Sequence, residues 1–294
     1  MPAHGVRRAF GSVRWLAAPA LALLVLFNLL PSALQLVFAF TDWNSFRPEV
    51  RFTGLDNLQY LLDDGSLVRG VRVSLTFAIL VAVIQNGVGL LLALALERTT
   101  RINSVFRTIF FLPVLVSAIA VGYTFRGLLD GDGVVNGMLG MLTGSAIDQA
   151  WLGDKNLAIV LVALIHSWKW VGLTMLIYIA GLNGIPEDYK EAARVEGASG
   201  LQTFRRITMP LLAPAITVNV VLTIVGGLTT FDIIFATTRG GPARSTEVLN
   251  MFIFGQYGSG YFGYATALSL VLFLIICAIS LPLLALLRRR EVSL

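Results

Sequence analysis

Six long apolar stretches leave this chain few options: Trp15 to Phe40, Val71 to Leu96, Val105 to Phe125, Leu157 to Ala180, Leu211 to Ala236 and Ala265 to Leu287. A bilayer core about 30 Å thick is crossed by about twenty apolar residues of helix, and each stretch meets that length. The expected fold is therefore an all-α membrane protein with six transmembrane helices. Composition agrees. Of 294 residues, 56% are apolar and only 13% charged, and the mean hydropathy is +0.78. So few polar side chains cannot cover a water-facing surface, which excludes ordinary soluble domains. The first stretch follows Arg7, Arg8 and Arg14, as a signal peptide would. At about 26 residues it exceeds the roughly 7–15 apolar residues of a cleavable signal, so it reads as an uncleaved helix.

The net charge of +5 and the pI near 9.7 suggest nucleic-acid binding only if the membrane is ignored. Excess Lys and Arg collect in cytoplasmic loops, so no nucleic acid is expected as a partner; the surrounding partner is membrane lipid. With both termini in the cytoplasm, thirteen cations lie inside: Arg7, Arg8, Arg14, Arg98, Arg101, Arg107, Lys190, Arg194, Arg205, Arg206, Arg288, Arg289 and Arg290. Eight lie outside, in longer loops: Arg47, Arg51, Arg69, Arg72, Arg126, Lys155, Arg239 and Arg244. The bias favours cytoplasmic termini. Cys277 is the one cysteine, so an internal disulfide or cysteine metal cluster is ruled out.

The loop at 181–210, between the fourth and fifth stretches, carries the most information. Pro186 suits a helix start, Glu187 and Asp188 suit its positive end, and the pattern continues helically to Ala198. At 100° per residue, Tyr189, Ala192, Ala193 and Glu196 share one narrow face of mostly small side chains, while Glu187, Lys190, Glu191 and Arg194 share the other. Gly197 and Gly200 permit a sharp turn. From the residues alone, the segment is either an amphipathic helix at headgroup level or a docking element, and the small side chains argue for docking.

Glu191, Ala192 and Ala193, then three residues, Gly197, nine residues, Ile207, one residue, Met209 and Pro210 form a pattern. It resembles the EAA loop of the permease subunits of ATP-binding-cassette importers, with Met209 in place of the family's Leu. TDWNSF at 41–46, FTGLDN at 52–57, FRTIFFLP at 106–113, TTRGGPARSTEVL at 237–249 and GYATALS at 263–269 resemble the carbohydrate-type branch, which includes maltose, trehalose and glycerol-phosphate importers. The resemblance implies a prokaryotic, multi-pass inner-membrane (plasma-membrane) protein. Its single transmembrane domain would run from 15 to 290, with cytoplasmic ends at 1–14 and 291–294. It further implies that 181–210 holds a cytoplasmic coupling helix, with Tyr189, Glu191, Ala192, Ala193 and Gly197 engaging an ATPase. The implied partners are a second homologous permease, two ATP-binding-cassette ATPase subunits and an extracytoplasmic solute-binding protein. No GxxxxGK[ST] loop occurs, so no cofactor is expected in this chain and ATP-Mg would be bound by the partner ATPases.

Polar residues inside apolar helices are costly and usually face a cavity or a neighbouring helix. His166, Trp168, Lys169, Trp170 and Asp232 are the candidates for a solute path, because sugars are held by aromatic faces and by polar side chains at their hydroxyls. Lys169 is expected to face the cavity or a neighbouring subunit, and Asp232 to lie about four residues from the outer end of the fifth helix. Asn86 and Asn219 are expected to join helices by hydrogen bonds. His4 and His166 lie far apart, and no HExxH or GxSxG pattern occurs, so no catalytic set or metal ligation is expected. The rival class is an ion-coupled secondary transporter, whose inverted repeats and interrupted helices the sequence does not display.

Overall fold

Helices make up the regular structure, and the β structure among the described residues is one isolated bridge, Thr41 with Phe52. The computed structural model describes residues 17–63 and 65–289. Arg7, Arg8, Arg14, Trp15 and Arg290, and the expected terminal segments 1–14 and 291–294, lie outside the described residues. In chain order the helices are α1 (Ala17–Phe38), α2 (Asp56–Asp63), α3 (Ser66–Leu96), α4 (Arg101–Leu115), α5 (Ala118–Leu128), α6 (Val134–Thr143) and α7 (Lys155–Asn183). They continue with α8 (Glu187–Val195), α9 (Gly200–Leu211), α10 (Ala213–Thr229), α11 (Asp232–Thr237), α12 (Leu249–Gly258) and α13 (Phe262–Arg288).

Among the described residues, α1, α3, α7 and α13 are each long and apolar enough to cross a membrane alone. Two further crossings qualify only as bent pairs, α4 with α5 at 98° and α9 with α10 at 67°. The third apolar stretch is thus not one straight helix. Pro113 removes a backbone donor from the last turn of α4, and Val116 and Ser117 then run extended before α5 begins. The fifth is interrupted too. The chain bends at Leu212, α10 stops at Thr229, Thr230 is extended, and Asp232 opens the separate short helix α11. Apolar side chains continue through the bends near Pro113 and Leu212, so hydropathy alone cannot see those two.

Two other prolines follow widened turns. A π turn at Val25–Leu29 precedes Pro31, and another at Phe204–Thr208 precedes Pro210. Widening the helix upstream relieves the clash between a proline ring and the carbonyl four residues before it.

The described parts of Met1–Gly65 and Ile253–Leu272 form one packing unit, and those of Ser66–Phe252 and Phe273–Leu294 a second. In the first, the Trp43 ring lies between Phe38 and Phe262, with centroids at 4.5 and 4.9 Å. Asn57 Nδ2 donates to the Ala39 and Thr41 carbonyls at 3.0 and 2.8 Å, tying α2 to the end of α1. The second unit has two apolar cores. Phe77, Val81, Val162, Ile165, Ile233 and Ile234 form one, and Ala93, Met175, Tyr178, Ile179 and Leu212 belong to the other.

Buried amides tie α3, α7 and α10 together between these cores. Asn86 Nδ2 donates to Thr223 Oγ1 at 2.8 Å, and its Oδ1 accepts from Tyr178 OH at 2.8 Å. Asn219 Nδ2 donates to the Thr174 carbonyl at 3.2 Å. Both asparagines therefore join helices, as expected from the sequence, each contact contributing about 0.6–1.7 kcal/mol. Close approach needs a small residue on α7: a Cβ on Gly172 would overlap the Phe110 carbonyl oxygen and come within 2.7 Å of Phe111 Cα.

Candidate functional site

A cleft of about 350 Å³ opens in the second unit between α3, α7, α10 and the start of α11. That volume lies in the range of small-molecule sites, roughly 300–1,000 Å³. Its walls carry Gln85 from α3; His166, Trp170 and Thr174 from α7; Asn219, Thr223 and Thr229 from α10; and Thr230, Phe231 and Asp232 at the break between α10 and α11. The break delivers these last residues, since a continuous helix would have carried them around its own axis. His166 Nδ1 lies 3.4 Å from Thr230 Oγ1, and the His166 ring meets Phe77 edge-on at 5.7 Å. Gln85 Nε2 donates to Thr174 Oγ1 at 2.7 Å, which leaves its buried Oε1 without a partner. Most other donors on the wall are already committed. Thr223, Thr229 and Thr230 hydroxyls donate to carbonyls of their own helix, and the Asn219 amide donates to Thr174.

The five residues proposed from the sequence divide. His166, Trp170 and Asp232 line the cleft, whereas Trp168 and Lys169 do not. Successive residues on a helix point about 100° apart, so one wall cannot take all of HSWKW. Trp168 is 46% exposed and packs edge-on against Phe125 at 5.2 Å. Lys169, expected to face the cavity or a neighbouring subunit, is buried within this chain. Its Nζ donates to the carbonyls of Val114 at 2.9 Å and Pro113 at 3.4 Å, and lies 4.4 Å from the Trp170 ring centroid. The ammonium thus satisfies carbonyls freed where α4 stops, at the negative end of that helix. Gln85, Thr174, Thr223 and Thr230 complete the wall. Gln85 and Thr230 stand out in sequence as polar residues in apolar runs, whereas Thr174 and Thr223 blend into theirs.

The loop after α7 forms α8, with Pro186 at its N-cap, then a turn, then α9. Gly197 has φ +78°, and the Ala198 and Gly197 amides donate to the Ala193 and Arg194 carbonyls at 2.9 and 3.1 Å. This double closure of a helix end requires the left-handed conformation that glycine adopts freely. Nothing lies within 4 Å of a Cβ placed there, so conformation and not crowding demands the glycine. The expected face of Tyr189, Ala192, Ala193 and Glu196 is split. Ala193 is buried within the chain, at 4% exposure, while Tyr189, Glu191, Ala192 and Val195 remain exposed. The reason is the anchoring of Lys190 on Glu97 at 2.8 Å, which turns positions 190 and 193 toward the bundle.

Residues 75–291 match the family described as binding-protein-dependent transport system inner membrane component. The chain belongs to this family. The permease is accordingly a multi-pass component of an inner-membrane ABC transport system. It is 30% identical to the multiple sugar-binding transport system permease protein MsmF of Streptococcus mutans, over 92% of this chain and 93% of the relative. It is 32% identical to the sn-glycerol-3-phosphate transport system permease protein UgpA of Agrobacterium fabrum, over 90% of each chain. In fold it is similar to a chain of a bacterial ABC transporter involved in import of the acidic polysaccharide alginate. The TM-score is 0.81, with 24% identity and 97% of both chains covered.

Proposed function

We propose that this permease is one of a pair in an ATP-driven importer of a sugar or polyol-like solute. The assembly comprises a second homologous permease, two ATP-binding-cassette ATPase subunits and an extracytoplasmic solute-binding protein. The permease crosses the membrane six times, α4–α5 and α9–α10 counting as one crossing each, with both termini cytoplasmic. Residues 15–290 act as its single transmembrane domain. ATP-Mg binds to the ATPases, whose closure moves α8 and switches the spans between inward and outward access. The solute passes the cleft of His166, Trp170 and Asp232, where aromatic surface suits the C–H face of a sugar ring. The Asp232 carboxylate suits its hydroxyl donors.

The observation that carries this reading is the EAA pattern on a short surface helix whose Tyr189, Ala192 and Val195 side chains are exposed. An ion-coupled transporter would need no such face. Purifying the permease from its native membrane tests the reading. An ATPase and a second permease should accompany it in comparable amounts, and uptake should follow ATP hydrolysis. Full transport by this chain alone, driven by an ion gradient, would overturn it.

A further inference from the structure

The helix α8 buries almost nothing apolar: of its nine residues, Ala193 alone is buried. Something else must set its position against the spans. Backbone continuity ties it to α7 on one side and to α9 and α10 on the other, but not to α3 or α4. A chain of charged contacts supplies that missing link.

At the end of α3 the last carbonyls have no helical partner. Arg107 of α4 fills them. Its Nε donates to the Leu96 carbonyl at 3.1 Å, and its Nη2 donates to the Leu96, Glu97 and Arg98 carbonyls at 2.6, 2.9 and 3.4 Å. Glu97, held by that clamp, places Oε1 2.8 Å from Lys190 Nζ on α8, 93 residues along the chain. Lys190 also lies 3.8 Å from Glu187 Oε2, and Glu187 Oε1 accepts from Arg194 at 2.9 Å. The links differ in exposure. The Lys190 and Glu97 side chains are 17% and 30% exposed, against 65% and 59% for Arg194 and Glu187. Fully exposed pairs contribute little, whereas a partly buried pair is less screened and holds its geometry more firmly. The Glu97–Lys190 contact is therefore the firm joint, and Arg194–Glu187 a solvated accessory.

Helix α3 runs without interruption from this joint to the cleft. Gln85 stands twelve residues before Glu97, about 18 Å of helix rise, and bonds to Thr174 on the facing wall. We infer that Glu97 and Lys190 are positioning residues for transport: their ion pair, seated by Arg107, passes the displacement of α8 into α3 and so to the wall of the solute cleft. The inference rests on the importer reading above.

The test uses the complete complex, purified from native membrane and reconstituted in vesicles. ATP hydrolysis is measured with and without the solute-binding protein as isolated. Lys190→Glu and Glu97→Lys should each lower the stimulation by the binding protein about tenfold, while the complex keeps its composition. The exchanged double variant, Glu97→Lys with Lys190→Glu, should recover stimulation to within about twofold, because the pair is restored with its polarity reversed. Glu97→Gln carries the test if a reversal fails to assemble: stimulated turnover should fall while basal turnover holds. Single variants that behave as wild type, a double variant no better than the worse single one, or basal and stimulated rates falling together would overturn the joint alone. A wild-type complex that contains no ATPase would overturn the importer reading and this inference with it.

Discussion

At the scale of single residues, neighbours in sequence part company because a helix turns them apart. Trp168 and Trp170 flank Lys169, yet Trp170 lines the cleft and Trp168 meets Phe125 on an exposed side. Replacing Trp170 with Ala should raise the KM for uptake or lower its rate, while Trp168→Ala should leave uptake kinetics within about twofold of wild type; equal effects from both would remove the cleft from the solute path. Gly197 offers a second residue-level test. Its φ of +78° costs a branched residue about 1–2 kcal/mol, and Asn tolerates that region better. Gly197→Val should therefore weaken retention of the ATPase, Gly197→Asn much less, as read by co-purification. Much of this was legible: a glycine after a helical pattern marks a left-handed cap. The side of α8 that faces inward was not, because the small residues at 192 and 193 look alike until Lys190 finds Glu97.

At the scale of elements, the sequence locates apolar stretches well and their continuity poorly. The stretches at 71–96 and 157–180 became the uninterrupted α3 and α7, across whose interface Gln85 meets Thr174 and Asn86 meets Tyr178. The third and fifth are bent or broken: Pro113 lies inside a stretch that stays apolar around it, and Thr229, Thr230 and Asp232 mark the second break only as scattered polar residues. A broken helix exposes carbonyls, and in a membrane these need donors from protein. Lys169 is that donor for α4, so its charge serves the architecture of the break. Lys169→Met keeps the length of the side chain and removes the bonds to Val114 and Pro113. It should cost about 1.5–3 kcal/mol, seen as a lower melting midpoint in detergent, with Lys169→Arg retaining most of the wild-type value. An unchanged midpoint for Lys169→Met would mean that the break stands without its cation.

At the scale of the whole molecule, the question is which surface the permease offers to the rest of a transporter. Its 181–210 loop displays Tyr189, Ala192 and Val195, while Ala193 faces the chain itself. Those two adjacent alanines therefore report on different events. Arg at Ala193 would disturb the permease's own packing, so loss of function there would say nothing about docking. Arg at Ala192 meets only what approaches from outside, and burying that charge against an unprepared surface is penalised. Ala192→Arg should leave the permease inserted and paired while releasing the ATPase. Arg194→Ala, which removes an exposed partner of Glu187, should retain the ATPase. In a Cys277→Ser background, Ala192→Cys should crosslink to the ATPase with a yield that changes when nucleotide binds. Ala193→Cys should crosslink far less, because its side chain is covered. Equal crosslinking from both positions would mean that α8 turns over on assembly. Crosslinking from neither, with full ATPase retention in Ala192→Arg, would place the ATPase on another face and leave α8 as an anchor at the membrane surface.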